Sequence, residues 1–444
     1  MPLSGGAPRE VVGNVDSADW TADGSELAAV RQVSGKFRIE FPLGKVLYES
    51  PGGWLASVRV SPRGDALAFL EYTLGGEDTG NVVVLDRNGK QIVRSELFWS
   101  AEGLAWSPRG DEVWFGATRD QQLANEVHAL SLSGKDRVVL RLPGILRLHD
   151  VSRDGQLLVS KEAWRGAISF RGQGEQRERD LSWLDYSILT DLSRDGADVA
   201  FSEEGEAAGH KWFSYIRKTD GSPAVKLGIW GRPVFSPDKK WVLAGKSPGV
   251  ADRLVLFPTG VGEIRTLPNV TQRYTSPGWM PGGNQVVFAG NDGHVWRIYT
   301  QDLNGGKPQA VTPPVLIEPE RFESNLISPD GKLVFARDLE GKAWLYPVAG
   351  RPPRAIQGIA TDDVWINWSI DGLSAYTFRW GEIPARIFRL DLARGMKRPV
   401  AEIAPGDRVG LSAIVTVRVT PDGKSYAYTY ERVLSELYLV SGVK

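Results

Sequence analysis

The chain contains no cysteine among its 444 residues, which excludes disulfides and thiolate metal sites and leaves the redox compartment open. Histidine occurs four times, as His128, His149, His210 and His294, in four separate repeats and with no i,i+4 pair. Metal or triad chemistry would therefore need a coincidence of folding. No run approaches 18 consecutive apolar residues, so no segment reads as a membrane-spanning helix. The opening residues Met1-Pro2-Leu3-Ser4-Gly5-Gly6-Ala7-Pro8-Arg9-Glu10 lack a charged region followed by an apolar one, so they do not read as a signal peptide. Neither sign of charge is in excess: 53 lysines and arginines stand against 54 acids, for a net charge of −1. That balance lacks the basic field a nucleic-acid partner requires. Nor does any long segment show a clean helical period flanked by caps.

What the chain has in quantity is one hairpin. Ile327-Ser328-Pro329-Asp330-Gly331 leads into the β-rich run Leu333-Val334-Phe335. Proline presets φ near −65°, aspartate can bond its own backbone, and glycine accepts positive φ, which together make a tight reversal between strands. Nine other stretches follow the same plan, starting at Trp20, Val60, Trp106, Val151, Leu192, Phe235, Trp279, Trp368 and Val419. The leading residue is apolar in all ten copies, and a glycine closes each turn except the sixth, where Lys239 stands. Successive copies are 40 to 51 residues apart. A period in the forties with strands inside each unit is the signature of propeller blades.

Each unit repeats an internal order. After the hairpin comes a second strand, such as Leu67–Leu70 or Val286–Phe288, then a third, such as Tyr215–Lys218, and a short fourth, such as Ile264–Leu267. The fold expected is all-β: a β-propeller of about ten four-stranded blade repeats. Ten exceeds the four to eight blades of one ring, so two tandem propellers are expected rather than one large ring. The least regular stretch, Arg171–Asp180, suggests a boundary near residue 182. Residues 1–182 would then hold about four repeats and residues 183–444 about six. The chain finishes at a third strand, Leu437-Tyr438-Leu439-Val440, and Arg9-Glu10-Val11-Val12 reads as a fourth that could close a ring.

The Trp/apolar-Ser-Pro-Asp-Gly hairpin with its Val/Phe-rich second strand resembles the WD40-like (PD40) repeat of TolB-type propellers. Four stretches resemble the propeller that follows the kinase domain and membrane span of a group of bacterial serine/threonine kinases. They are Pro42–Glu49, Arg177–Asp185, Leu303–Pro308 and Ser425–Tyr428 with Leu437–Val440. The resemblance covers essentially the whole chain, but the kinase's own motifs are absent, so kinase activity does not carry over. It implies a sensing or protein-binding propeller on the periplasmic side of the membrane. If residue 1 is the true start, the lack of a signal peptide would instead keep the chain in the cytoplasm.

Gly245-Lys246-Ser247-Pro248-Gly249 matches the nucleophile elbow of hydrolases, with Ser247 as nucleophile. That chemistry needs the N–H that follows the serine, and Pro248 has none. The stretch reads as an interstrand loop. The hairpin aspartates read as turn residues rather than calcium ligands, and Trp20, Trp106, Trp279 and Trp368 read as core. No catalytic, metal or cofactor-binding residue is assigned, no cofactor is expected, and the ligand-binding residues stay open. The function expected is a non-catalytic binding or sensing module for a protein, peptide or small ligand, in a signalling receptor or a TolB-like envelope system. The alternative is a propeller hydrolase or the propeller cap of a serine peptidase.

Overall fold

A computed structural model describes residues 10–33, 36–72, 79–120, 123–209, 212–229, 231–245, 253–268, 273–293, 295–317 and 323–443. Those residues are built from antiparallel strands, with a 3-10 turn at Glu206–Ala208 and no α-helix. No helix among them is long and apolar enough to cross a membrane. The fold is an all-β propeller, as the repeats dictate. Each hairpin joins an innermost strand to the second strand of its sheet, as Ser100–Trp106 joins Glu112–Thr118.

The chain divides into two compact units. One comprises residues 1–163 together with 434–444, and the other residues 164–433. The first holds four sheets. Three are four-stranded and built in sequence order from residues 15–49, 55–94 and 100–141. The fourth combines Ile145–Val151 with residues 157–163 and 434–440.

The second unit holds six sheets. Five follow in order, from residues 187–228, 231–266, 273–310, 333–355 and 363–403. The sixth takes strands from both ends of the unit: Leu411–Val419 and residues 426–433 lie beside residues 164–171 and Arg179–Asp180. Its neighbour is the first sheet of the unit, since the Leu189 amide donates to Thr429 Oγ1 at 2.7 Å and Arg418 Nε to the Thr190 carbonyl at 2.7 Å. The six sheets thus close on themselves, and each apolar face is covered by a neighbour.

The core lies between sheets rather than inside any one of them. Val286 and Phe288 of one sheet pack with Val234, Leu243 and Leu256 of the preceding one. Phe335 stacks on Trp365 at 4.2 Å between ring centres, and both are fully buried. Alternation along each strand puts apolar residues on both faces, because a blade is covered on both sides. Burial of one such side chain contributes roughly 1.5–3 kcal/mol.

In the eighth repeat the innermost strand is lost. Ile327 makes only an isolated bridge to Val334, leaving the sheet three-stranded. At the other end, Glu10, Val11 and Val12 form no strand, and Val11 is 67% exposed. Residues 1–9 of the expected closing strand lie outside the described residues.

Candidate functional site

The hairpin is held by its hydroxyl. Ser328 Oγ donates to Asp330 Oδ1 at 2.6 Å and accepts from the Leu333 amide at 2.9 Å, while the Gly331 amide donates to the Ser328 carbonyl at 2.9 Å. The Ser328 hydroxyl bond holds the Asp330 carboxyl below the usual carboxylate range. At Asp23, the hydroxyl of Thr21 and then the Ser25 amide bring it down to about 2. In the second and third repeats arginine replaces the aspartate, and a later residue supplies the carboxylate. Ser61 Oγ donates to Asp65 at 2.7 Å and Ser107 Oγ to Asp111 at 2.8 Å. The closing glycines have positive φ, 72° at Gly331, and Lys239 takes the same conformation at 58°.

Every described innermost strand carries a β-bulge just before the hairpin. Register shifts mark it between Ala56 and Arg59, Leu148 and Asp150, Leu189 and Asp191, Gly231 and Val234, Thr275 and Gly278, and Trp365 and Asn367, and one or two residues earlier in the strands that lead to Trp20, Trp106 and Val419. Ser57, Arg232 and Ser276 adopt φ near 50–57° there, three residues before the leading apolar residue. A bulge turns the strand and re-aims its side chains. The residue immediately before the apolar position is back in register after the bulge, and it is polar in six copies: Asp19, Arg59, Asp150, Asp191, Asn367 and Arg418.

These side chains reach the next sheet. Asp19 Oδ2 accepts from the Val60 amide and Asp191 Oδ2 from the Phe235 amide, both at 2.9 Å, while Asn367 Nδ2 donates to the Val419 carbonyl at 2.9 Å. The tryptophans reach the other way. The indole N–H donates to the preceding sheet's carbonyl: Trp106 to Arg59, Trp279 to Val234 and Trp368 to Leu326, at 3.1, 3.2 and 3.3 Å. These three are buried. Trp20 departs from the expected core role at 54% exposure, with no described sheet before it in sequence to receive its indole.

In the second unit Asp191 and Arg418 are both buried. Burial pushes the Asp191 carboxyl up to about 6, against the pull of the Phe235 amide and the Arg418 charge. Burial likewise brings Arg418 down to about 10. Above them, the turns of all six sheets surround a cavity of about 260 Å³. Pro237, Pro281, Pro329 and Pro421 ring it with Phe235 and Trp279, and Asp191, Arg194, Asn325 and Asn367 supply polar groups.

The two described histidines, His128 and His149, lie in separate sheets of the first unit. His128 is buried in the third sheet of the first unit. There Nε2 lies 2.9 Å from Glu126 Oε2 and Nδ1 3.1 Å from Asp136 Oδ1, with the ring against Phe98 and Phe115. His149 Nε2 lies 2.8 Å from Ser160 Oγ, and burial lowers its pKa below the usual histidine value. Because Ser160 also bonds Glu162, the hydroxyl rather than the imidazole is the middle member, the wrong order for a serine triad. His210, His294 and Ser247 lie outside the described residues. The strands flanking Ser247, Trp241–Gly245 and Leu254–Pro258, pair directly with each other. Among the described residues no group of three His, Cys, Asp or Glu side chains could hold a metal ion.

Sequence reasoning missed the polar position ahead of the hairpin. Its signal was present: a charged or amide residue recurs one place before the apolar one, inside otherwise apolar strands.

No family model and no curated protein matches this sequence. Among solved structures, a putative TolB from Agrobacterium tumefaciens aligns with a TM-score of 0.45 and 18% identity, over 60% of this chain and 98% of its own. TolB from Acinetobacter baumannii aligns with a TM-score of 0.29 and 12% identity, over 92% of this chain and 81% of its own.

Proposed function

We propose that this chain is a non-catalytic binding module, in which the second unit acts as a six-bladed propeller that holds a protein or peptide segment at the mouth ringed by its hairpins. The observation that carries this reading is the cavity of about 260 Å³, to which all six sheets contribute a turn. A segment entering it would meet the prolines of the turns and the polar groups of Asp191, Arg194, Asn325 and Asn367. A role outside the cytoplasmic membrane, in a sensing or envelope assembly, follows from the resemblance of the repeats and belongs to the same proposal.

The test is to pan a displayed peptide library on the immobilised full chain and on Arg194→Glu. Arg194 is exposed at the cavity, and its replacement reverses a charge without removing a turn hydrogen bond. Peptides enriched on the parent should bind the variant about tenfold more weakly, the effect of a contact worth 1.4 kcal/mol. Enrichment that is indifferent to Arg194→Glu would place recognition elsewhere on the chain.

A further inference from the structure

The fourth sheet of the first unit differs from its three companions: it ends at residues 434–440, without an outer fourth strand among the described residues. Those residues read Leu434-Ser435-Glu436-Leu437-Tyr438-Leu439-Val440, and Leu437 and Leu439 are 65% and 63% exposed. The sheet's own strands cover one edge of this segment. On its other side Leu411–Val419 pairs only as far as Arg432, and the Val433 amide then bonds Gly410. Among the described residues nothing pairs with that edge of residues 434–440, and apolar side chains lie on both faces of the segment.

The other outermost strands are protected. Arg179–Asp180, Arg265–Thr266, Gln309–Ala310 and Arg354–Ala355 are two residues long. Gln91–Arg94, Asp136–Arg141, Val225–Gly228 and Lys397–Ile403 each carry lysine or arginine, the last with Pro399 as well. Val46–Glu49 spans four residues and ends in glutamate. Short length, basic charge and proline are the usual devices that keep an edge from pairing. Residues 434–440 are longer than most of these strands and hold no proline or basic residue, with Glu436 as their one charge.

The segment is also complementary to itself. Laid antiparallel to a second copy about Leu437, it sets Leu437 opposite Leu437, Leu434 opposite Val440 and Ser435 opposite Leu439. Glu436, its single charge, then faces the Tyr438 hydroxyl of the second copy and not the other glutamate. Tyr438 already donates to Glu436 within the chain. Apolar pairs and a donor opposite an acceptor are the pairings that stabilise adjacent strands.

We propose that residues 434–440 are a homotypic docking edge, pairing two copies of this chain through a two-fold axis at Leu437 into one continuous sheet. This surface is separate from the hairpin mouth of the second unit, and either assignment can fail without the other.

The test is sedimentation velocity of the full chain over a wide concentration series, for the parent, Leu437→Lys and Leu437→Glu. Because Leu437 faces itself, each variant alone sets two like charges opposite each other, and an equimolar mixture of the two sets lysine opposite glutamate. Each variant should weaken the dimer about tenfold or more, and mixing them should restore it. The side chain is exposed, so melting temperatures should be unchanged. Hydrogen exchange on the parent is independent of the variants: protection of amides 434–440 should rise with concentration. A parent that stays monomeric overturns the proposal, as does a dimer indifferent to both variants. Protection that does not depend on concentration also overturns it, because the edge would then be covered within its own chain.

Discussion

The Tyr428 hydroxyl donates to Glu178 Oε2 at 2.6 Å, joining residues 250 positions apart in sequence across the sixth sheet of the second unit. The same carboxylate takes the Tyr426 hydroxyl at 2.9 Å and Ser169 Oγ at 2.7 Å. Here the two ends of the unit meet, so the bond reports on closure. Tyr428→Phe removes one donor to a charged acceptor and should lower stability by about 1.5–3 kcal/mol. Glu178→Ala should cost more, because it removes the acceptor that Tyr428, Tyr426 and Ser169 share. A double-mutant cycle measured by chemical denaturation should show a coupling of about 0.5–3 kcal/mol. Additive losses would mean that the carboxylate does not hold the seam.

That seam also marks where the sequence stops being legible. The ten hairpins could be read directly, because a turn needs its glycine, aspartate and hydroxyl within a few residues. The second and third strands followed from their apolar runs. The sixth sheet could not be read, because it sets residues 164–171 beside residues 426–433 with no local signal. Likewise the role of Asp191 depends on the amide of Phe235 in the next sheet, 44 positions further along the chain. Arg63 and Arg109 look like departures from the motif until Asp65 and Asp111 are seen to take over the carboxylate's task.

The tryptophan stitch between sheets can be tested by removing only its N–H. Trp279→Phe keeps an aromatic ring but leaves the Val234 carbonyl without its indole donor, at a cost of about 1–3 kcal/mol. Trp20→Phe, at an exposed position, should stay within about 0.5 kcal/mol of the parent. Urea midpoints of the two variants decide it. Equal effects would mean that the buried indole of Trp279 contributes no more than the exposed one of Trp20 and that the stitch does not hold the sheets.

The closing glycines should separate into two grades. At Gly155 the left-handed backbone is surrounded by open space, so Gly155→Ala should cost only backbone strain, about 1 kcal/mol. At Gly331 an added Cβ would also lie 3.3 Å from Pro281 Cδ of the neighbouring turn, so Gly331→Ala should cost about 1–3 kcal/mol and Gly331→Val more. Lys239→Gly relieves strain of the same size. It also removes the ion pairs of Lys239 to Asp195 at 2.6 Å and Asp198 at 2.9 Å, which are part-exposed and worth no more than about 1 kcal/mol. The net change should be close to zero or slightly stabilising. Denaturation midpoints that placed Gly155→Ala below Gly331→Ala would refute the account of stacked turns.

The last prediction concerns pH. Burial raises the Asp191 carboxyl to about 6 in the fold, while the unfolded chain keeps the ordinary value near 3.8. Between those values the folded state binds the proton that the unfolded state has released, so stability must fall as pH rises. The contribution is fully present below about pH 4 and is lost as pH rises through 6. A shift of this size is worth about 2–3 kcal/mol. Asp191→Asn removes the titration while keeping an oxygen that can accept from the Phe235 amide. The variant should therefore gain on the parent by that amount between pH 4 and 7, whatever the absolute stabilities. Parallel stability curves for the two proteins across that window would show that Asp191 is ionised in the fold at all of these pH values, with Arg418 compensating its burial.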